Sequence, residues 1–403
     1  MNMHRALGLA CWLVAVASLP AGDWTRFRGN DGTGVSAETG LPIKWSASAN
    51  IRWQADLPGR GLSCPVIAGG RVYITASSRH DQSRLHVLCF DLAGGKKLWE
   101  RQFWATGDTT SNEATCMAAP TPVTDGKQVF ALFATGDLVC LDADGNLQWY
   151  RSLVGDYPTI TNQVGMAASL VLWKDVLIVP MQNMGESFVA GLDKATGKNR
   201  WKEALPRDIN WTTPLVIADG DQASVLFQSG QELAAYDPLT GSKRWNYTAA
   251  GMSTIPSPAP ANGLVLVAAG ELTALRPGGD RPQVVWKNNK LRPSGYGTPL
   301  LYQGRVYSIG SVGLNCGDAA TGNLLWQQRA KGPFAASPVA GDGKIYLVNE
   351  DGIATVILAG DKPNVLSTNP LGEKISATPA FADGAIFLRS DQHLFCIGEK
   401  KIR

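Results

Sequence analysis

The sequence predicts an all-β fold: an eight-bladed β-propeller of four-stranded antiparallel blades, closed by an N-terminal strand that completes the last blade. Three observations carry this. A turn phrase, in which Asp leads to Gly and a Trp follows four residues later, recurs along the chain. An opening phrase centred on Pro recurs between successive copies. The 403 residues include 44 glycines, where average usage gives roughly 28, and glycine supplies the turns that many short strands need.

Composition removes other classes. Charged residues make up 18% of the chain, and Lys plus Arg (37) nearly balance Asp plus Glu (34). A nucleic-acid binder with a dense basic footprint is not expected. The 13 Trp and ordinary apolar content argue against a disordered chain.

Residues 1–21 read as a secretory signal: a basic start at Met1–Arg5, an apolar run through Leu7, Leu9, Trp12 and Leu13, and small residues at Ala15-Val16-Ala17. The run is too short to cross a bilayer stably. Cys11 lacks the large aliphatic residue a lipidation site wants, since Gly8 stands there. An exported chain, periplasmic or extracellular and without a transmembrane segment after signal removal, is expected. Residues 22–44, with Asp23-Trp24-Thr25-Arg26-Phe27-Arg28-Gly29 and Gly32-Thr33-Gly34, read as a strap against the ring. The propeller spans 45–403.

Within it the turn phrase appears at Asp91 to Trp99, Asp142 to Trp149, Asp193 to Trp201, Asp237 to Trp245 and Asp318 to Trp326. Its glycines are Gly95, Gly145, Gly197, Gly241 and Gly322. The Asp carboxylate can accept backbone N–H groups two and three residues on, and Gly takes the positive φ a tight hairpin requires. Trp opens the next strand, where a large ring can wedge between sheets. Trp53 and Trp286 extend the set. Units open at Pro65, Pro122, Ser169, Pro214, Pro258, Pro299, Pro338 and Pro379, near the roughly 40–50 residue spacing of a four-stranded blade. Runs such as Gly70-Arg-Val-Tyr-Ile74 alternate as half-buried strands do. The last unit lacks a Trp strand, and Asn50-Ile51-Arg52-Trp53 is placed to supply it, which removes an open edge. Ser367 falls near the expected Trp of a degenerate seventh unit; seven blades is the alternative count.

These Asp-x-x-Thr-Gly-x-x-x-Trp repeats with Ser/Thr-Pro openings resemble the PQQ-like (quinoprotein-type) propeller repeats, over about Trp45 to Cys396. The resemblance is to outer-membrane assembly factors of the BamB type rather than to true quinoprotein dehydrogenases. A dehydrogenase site in the family pattern implies a vicinal disulfide, a metal-binding carboxylate and amide set, and a catalytic Asp. No two cysteines are adjacent here. Cys89, Cys140, Cys316 and Cys396 share one repeat position with Gly191, Ala235 and Ala274, and are expected as small core residues. Cys64 with Cys116 is left open as a disulfide pair. No Gly-x-Ser-x-Gly, His-Glu-x-x-His or phosphate loop occurs. His80, His86 and His393 sit at unrelated positions and are expected as surface or strand residues. No catalytic set and no metal site are expected.

The connections from each Trp to the next opening lie on one face near the axis. Trp99 to Pro122 and Trp149 to Ser169 are the longest, and surplus loop on a rigid scaffold is where binding tends to reside. The candidate binding face gathers Asn112, Glu113, Asp156, Tyr157, Asn162, Asn210, Trp211, Arg292 and Tyr296; the alternative is that they cap the channel and bond one another. The expectation is a monomeric, exported, non-catalytic scaffold binding a protein, small ligand or glycan through this funnel, with no cofactor. The alternatives are a dehydrogenase dependent on PQQ with calcium, and a carbohydrate-binding or sensor propeller.

Overall fold

The computed structural model describes residues 22–162, 164–219 and 222–399. The expected signal over residues 1–21 lies outside them, as does the turn at Gly220-Asp221. Among the described residues are eight sheets, each built on a four-stranded antiparallel blade; the seventh gains a fifth, parallel strand, and the eighth is completed by a strand from the N-terminal side. Blade 1 is Val66–Ala68, Arg71–Ser78, Arg84–Asp91 and Lys97–Trp104. Blades 2 to 6 open with the inner strands Val123–Thr124, Val171–Trp173, Leu215–Asp219, Ala259–Ala261 and Leu300–Tyr302. Blade 7 opens with Val339–Gly341. Blade 8 comprises Ala380–Ala382, Ala385–Arg389 and His393–Ile397, and Ile51–Asp56 pairs antiparallel with His393–Ile397 to finish it. The chain ends therefore close the ring from both sides, and the seven-blade count is set aside.

The turn phrase works as its chemistry suggests. Asp193 Oδ1 accepts from the N–H groups of Ala195 (3.1 Å) and Thr196 (3.0 Å), and Asp318 Oδ1 from Ala320 (3.1 Å) and Thr321 (2.8 Å). Gly197 and Gly322 take φ of 70° and 72°. A second requirement on the glycine is steric and runs between blades. A Cβ on Gly95 would meet the Trp53 ring at 2.4 Å, one on Gly145 the Trp99 ring at 2.6 Å, and one on Gly241 the Trp201 ring at 2.7 Å. These indoles lie on the turn of the next blade, and Nε1 donates to that turn from Trp53 to Leu92 O, Trp99 to Ala143 O, Trp149 to Lys194 O and Trp286 to Ala319 O, at 2.8–2.9 Å. The small-residue position is explained by the same ring. Cys89, Cys140, Cys316 and Cys396 stand directly across the strand pair from Trp99, Trp149, Trp326 and Trp53, and a Cβ on Gly191 would sit 2.3 Å from Trp201.

Blade 7 lacks this indole. Ser367 pairs with Val356 at the Trp position, and its hydroxyl donates to Ile43 O. That bond anchors the incoming segment whose Leu41 and Trp45 are buried in one cluster with Phe381, Ala385 and Ile386 of blade 8. The segment from the N-terminus gives the apolar cover that the missing ring does not.

Residues 24–36 cross the axis. Trp24 exchanges two backbone hydrogen bonds with Ile67 of blade 1 (2.8 and 2.9 Å), and Thr25 O accepts from Thr124 of blade 2. Val35–Ser36 pairs parallel with Ala340–Gly341 of blade 7. Arg28, 2% exposed, donates to the carbonyls of Thr298 (3.0 Å), Pro299 (2.8 Å), Pro338 (3.3 Å), Thr33 (2.9 Å) and Gly32 (3.3 Å). Asp23 Oδ1 receives Gly69 N–H and Asp342 Oδ2 receives Leu41 N–H, so the segment enters from the face bearing the inner hairpin turns. The channel is stoppered from that side.

Candidate functional site

The opposite face carries the long connections, and its floor is a ring of hydrogen bonds about the axis. The residue before each opening proline sends its N–H to the side chain of the next blade's equivalent. Cys64 N–H donates to Thr121 Oγ1 (3.0 Å), Thr121 to Ser169 Oγ (3.0 Å), Ser169 to Thr213 Oγ1 (3.0 Å) and Thr213 to Ser257 Oγ (2.9 Å). Ser257 continues to Thr298 Oγ1 (3.1 Å), Thr298 to Ser337 Oγ (3.0 Å) and Ser337 to Thr378 Oγ1 (2.9 Å). The Thr378 N–H faces the Cys64 sulfur and closes the circle. At seven of the eight positions a proline follows, which removes the next backbone donor, fixes its φ and holds that step of the ring in register. Ser169 belongs to this hydroxyl ring, so the third blade opens at Leu170. The opening expected at Ser169 therefore lies one residue later, because Leu stands where the other blades carry Pro.

Above the ring, Trp211 and Tyr296 stack across the mouth with centroids 6.1 Å apart and planes at 23°. Trp211 is held by Nε1–H to Gly165 O (2.9 Å), while Tyr296 is 37% exposed. Phe27 of the N-terminal segment closes the bottom of this cavity of about 120 Å³. Beside it, between the loops of blades 5 and 6, lies a cleft of about 600 Å³ lined by Ser253, Lys290, Arg292, Asn315 and Gln327.

The other expected face residues divide by location. Asn112 caps a turn through Oδ1 and Ala114 N–H, and its own N–H joins Val164 O, tying the two long loops together. Glu113 is exposed beside it, and its carbonyl accepts from Arg60. Asn162 donates to Ala134 O. Asn210 is 2% exposed, with its amide engaged by Gln182 Oε1 and Gln228 O at 2.6 Å. Asp156 and Tyr157 lie at the outer edge of blades 2 and 3: Asp156 pairs with Arg151, and the Tyr157 ring packs on Phe188 at 4.8 Å with Lys202 Nζ 4.0 Å from its centroid. The mouth thus brings Trp211 and Tyr296 together, with Arg292 in the adjoining cleft, Asn112 and Glu113 on the rim, and Asp156 and Tyr157 remote.

Cys64 and Cys116, left open as a pair, are not joined by a disulfide, and both thiols are buried. Burial pushes Cys116 up to about 11 and raises Cys64, so both stay protonated. His86 is a strand histidine, 3% exposed, with Ser78 Oγ at 2.7 Å from Nε2 and Glu100 Oε1 at 2.8 Å from Nδ1. The order serine–histidine–carboxylate resembles a nucleophile with its base and orienting acid, but the ring is closed off from solvent and the chain of bonds serves as a polar seam in blade 1. Among the described residues no group of three or more His, Cys, Asp or Glu is placed to hold a metal, and no helix is long and apolar enough to cross a membrane.

A tricyclic quinone with calcium requires a pocket of several hundred Å³ and acidic ligands. The central mouth is smaller than that, and neither cavity is lined by a carboxylate. The residues present do not fit that group.

The sequence carries three overlapping matches, over residues 11–190, 183–282 and 269–363, to the family described as outer membrane protein assembly factor BamB. No curated protein sequence matches. Among solved structures, the fold is similar to BamB from Moraxella catarrhalis, with a TM-score of 0.64 at 18% identity over 88% of this chain and 98% of that one. It is also similar to the quinohemoprotein alcohol dehydrogenase of Comamonas testosteroni, at 0.71 and 14% over 96% and 82%. A europium-containing methanol dehydrogenase aligns at 0.68 and 13% over 91% and 89%. At these identities the structures speak to fold alone, and a propeller hosts unrelated activities. The matched residues decide the family: this chain belongs to the PQQ-like propellers described as outer membrane protein assembly factor BamB.

Proposed function

We propose that the chain is an exported, non-catalytic scaffold that binds a protein partner through the face bearing the long loops. The observation that carries this reading is the asymmetry of the two ends of the channel. One end is stoppered by residues 24–36, hydrogen-bonded to blades 1, 2, 6 and 7. The other presents exposed Tyr296 stacked on Trp211, Arg292, and the rim loops carrying Asn112 and Glu113. Large aromatic side chains and arginine at a rigid concave mouth are the residue types that dominate protein interfaces. The family membership agrees with an assembly role, and the lack of carboxylates around both cavities weighs against the quinone-dependent dehydrogenase.

The test is capture of partners from envelope extract with the wild-type chain and with a Glu113→Ala/Tyr296→Ala double variant. The reading expects one or a few proteins retained by the former and reduced about tenfold or more by the latter. Added quinone and calcium that stay bound stoichiometrically and support dye reduction would overturn it. The cleft beside the mouth, with Asn315, Gln327, Lys290 and Arg292 on its walls, favours a small polar ligand as the second reading, for which a glycan array is the direct assay.

A further inference from the structure

We propose that Arg389 forms the floor of an anion-binding pocket, built for a carboxylate-sized monovalent anion, where the connection from blade 8 to blade 1 passes over the end of strand Ala385–Arg389. Arg389 is 1% exposed, and its Nε, Nη1 and Nη2 are all buried with no hydrogen-bond partner among the described residues. A guanidinium carries five N–H donors, and stripping them of water without replacement is among the costliest things a fold can do. This chain shows how it satisfies a guanidinium when none is to be left open: Arg28, equally buried, is fully engaged by five carbonyls. Arg389 has nothing comparable.

The surroundings are those of a receptacle. A small cavity, with room for one or two water-sized groups, is walled by Arg60, Gly61, Lys374, Ser376, Ser390 and Asp391 around Arg389. Arg60 and the well-exposed Lys374 stand at its mouth. The one carboxylate on its wall, Asp391, favours the Arg389 charge through space but makes no hydrogen bond to it: Oδ1 accepts Gly61 N–H at 3.2 Å and Oδ2 lies 3.9 Å from Arg60 Nε. Lys374 reaches Glu350 at 3.5 Å, outside the wall. Ser390 is committed to Glu373 and to the N–H groups of Gln392 and His393. The nearby thiols of Cys64 and Cys116 stay neutral and give the guanidinium no counter-charge. Burial holds Arg389 down at about 10, and a bound anion relieves that penalty. Gly61 completes the design: a Cβ there would lie 2.0 Å from Arg389 Nη1, so only a bare backbone leaves the guanidinium its place. The planar fork of arginine matches a carboxylate in two parallel bonds. Such a carboxylate can arrive as a free ion or on an acidic side chain of a docking segment.

The experiment measures thermal unfolding of the full chain in formate against a bulky sulfonate at matched ionic strength and pH. Formate is expected to raise the Tm of the wild type by about 2 °C or more. Arg389→Met, which keeps the volume and removes the charge, is expected to fold and to lose that increment, and Gly61→Ala is expected to lose it while keeping the arginine. Equal Tm in the two salts for the wild type overturns the proposal, as does a full formate response in either variant. N-acetyl-Gly-Asp-Gly-amide and its Asn counterpart distinguish the sources. An Asp-only response at a concentration about a hundredfold below formate identifies a side-chain carboxylate, and a response to formate alone identifies a free ion.

Discussion

The backbone N–H of Cys64 donates to Thr121 Oγ1 at 3.0 Å, and with this bond the hydroxyl ring around the axis passes from the first blade to the second. The ring uses a hydroxyl at seven positions and a thiol at one, because the position asks for a small acceptor and a backbone donor and nothing else. Cys64→Ser is therefore expected to be neutral within about 0.5 kcal/mol. Thr213→Val, which keeps the shape and strands the buried Ser169 N–H, is expected to cost about 1–2 kcal/mol. Urea unfolding of the two variants checks the contrast.

The indole-on-glycine contact between blades has a built-in control. Gly241 and Gly263 take nearly the same φ, 75° and 76°. A Cβ on Gly241 would meet the Trp201 ring at 2.7 Å, whereas one on Gly263 meets nothing within 4 Å. Both alanine substitutions carry backbone strain of order 1 kcal/mol. Gly241→Ala should exceed Gly263→Ala by a further ~1–3 kcal/mol from overpacking, and equilibrium unfolding of both variants measures the difference.

Acid should weaken the fold in two stages through blade 1. Burial lowers the pKa of His86 despite its bond to Glu100, so the folded state prefers the neutral ring. That stability is present above the unfolded value near 6.5 and is lost as pH falls from there through the lowered folded value. Burial of Glu100 opposes its charge, yet hydrogen bonds from Lys97, His86 and Gln102 win and bring it to about 2. Its contribution is present above about 4.5 and is lost as pH falls towards 2. His86→Gln should remove the stage just below pH 6.5 from a pH series of unfolding midpoints and shrink the lower one without abolishing it, since Glu100 keeps Lys97 and Gln102 as donors.

Arg28 ties the N-terminal segment into the channel. Arg28→Met leaves buried carbonyls of Thr298, Pro299 and Pro338 without their donor, at about 2–4 kcal/mol. Limited proteolysis should then cut ahead of residue 45 while the blades stay intact, whereas the wild type resists.

Blade count, strand order and ring closure were legible because each unit writes the same local chemistry: Asp for the turn, Gly for positive φ, Trp for the seam. The reason for Gly was only half legible, since the clash with an indole involves the preceding blade's Trp some forty residues away. Register in the third blade slipped by one because Leu170 replaces the marker proline while Ser169 keeps the functional hydroxyl. Loop residues were harder. Trp211 and Tyr296 meet, but Tyr157 is drawn to the outer rim by Phe188 and Lys202, and Asn210 is consumed by Gln182 and Gln228. Arg389 gave no signal, since it ends the apolar strand Ala-Ile-Phe-Leu-Arg and reads as a solvent-facing terminus. Its burial is created by Gly61, more than three hundred residues earlier in the chain.

The central claim is that partners meet the face bearing Tyr296, and site-specific photocrosslinking in the envelope tests it most directly. A photoreactive residue at position 296 or 113 is predicted to trap a discrete partner, while one at Asn262 or Gln303, on the hairpin turns of the stoppered face, traps none. Crosslinks from positions 262 and 303 with none from 296 and 113 would contradict the account.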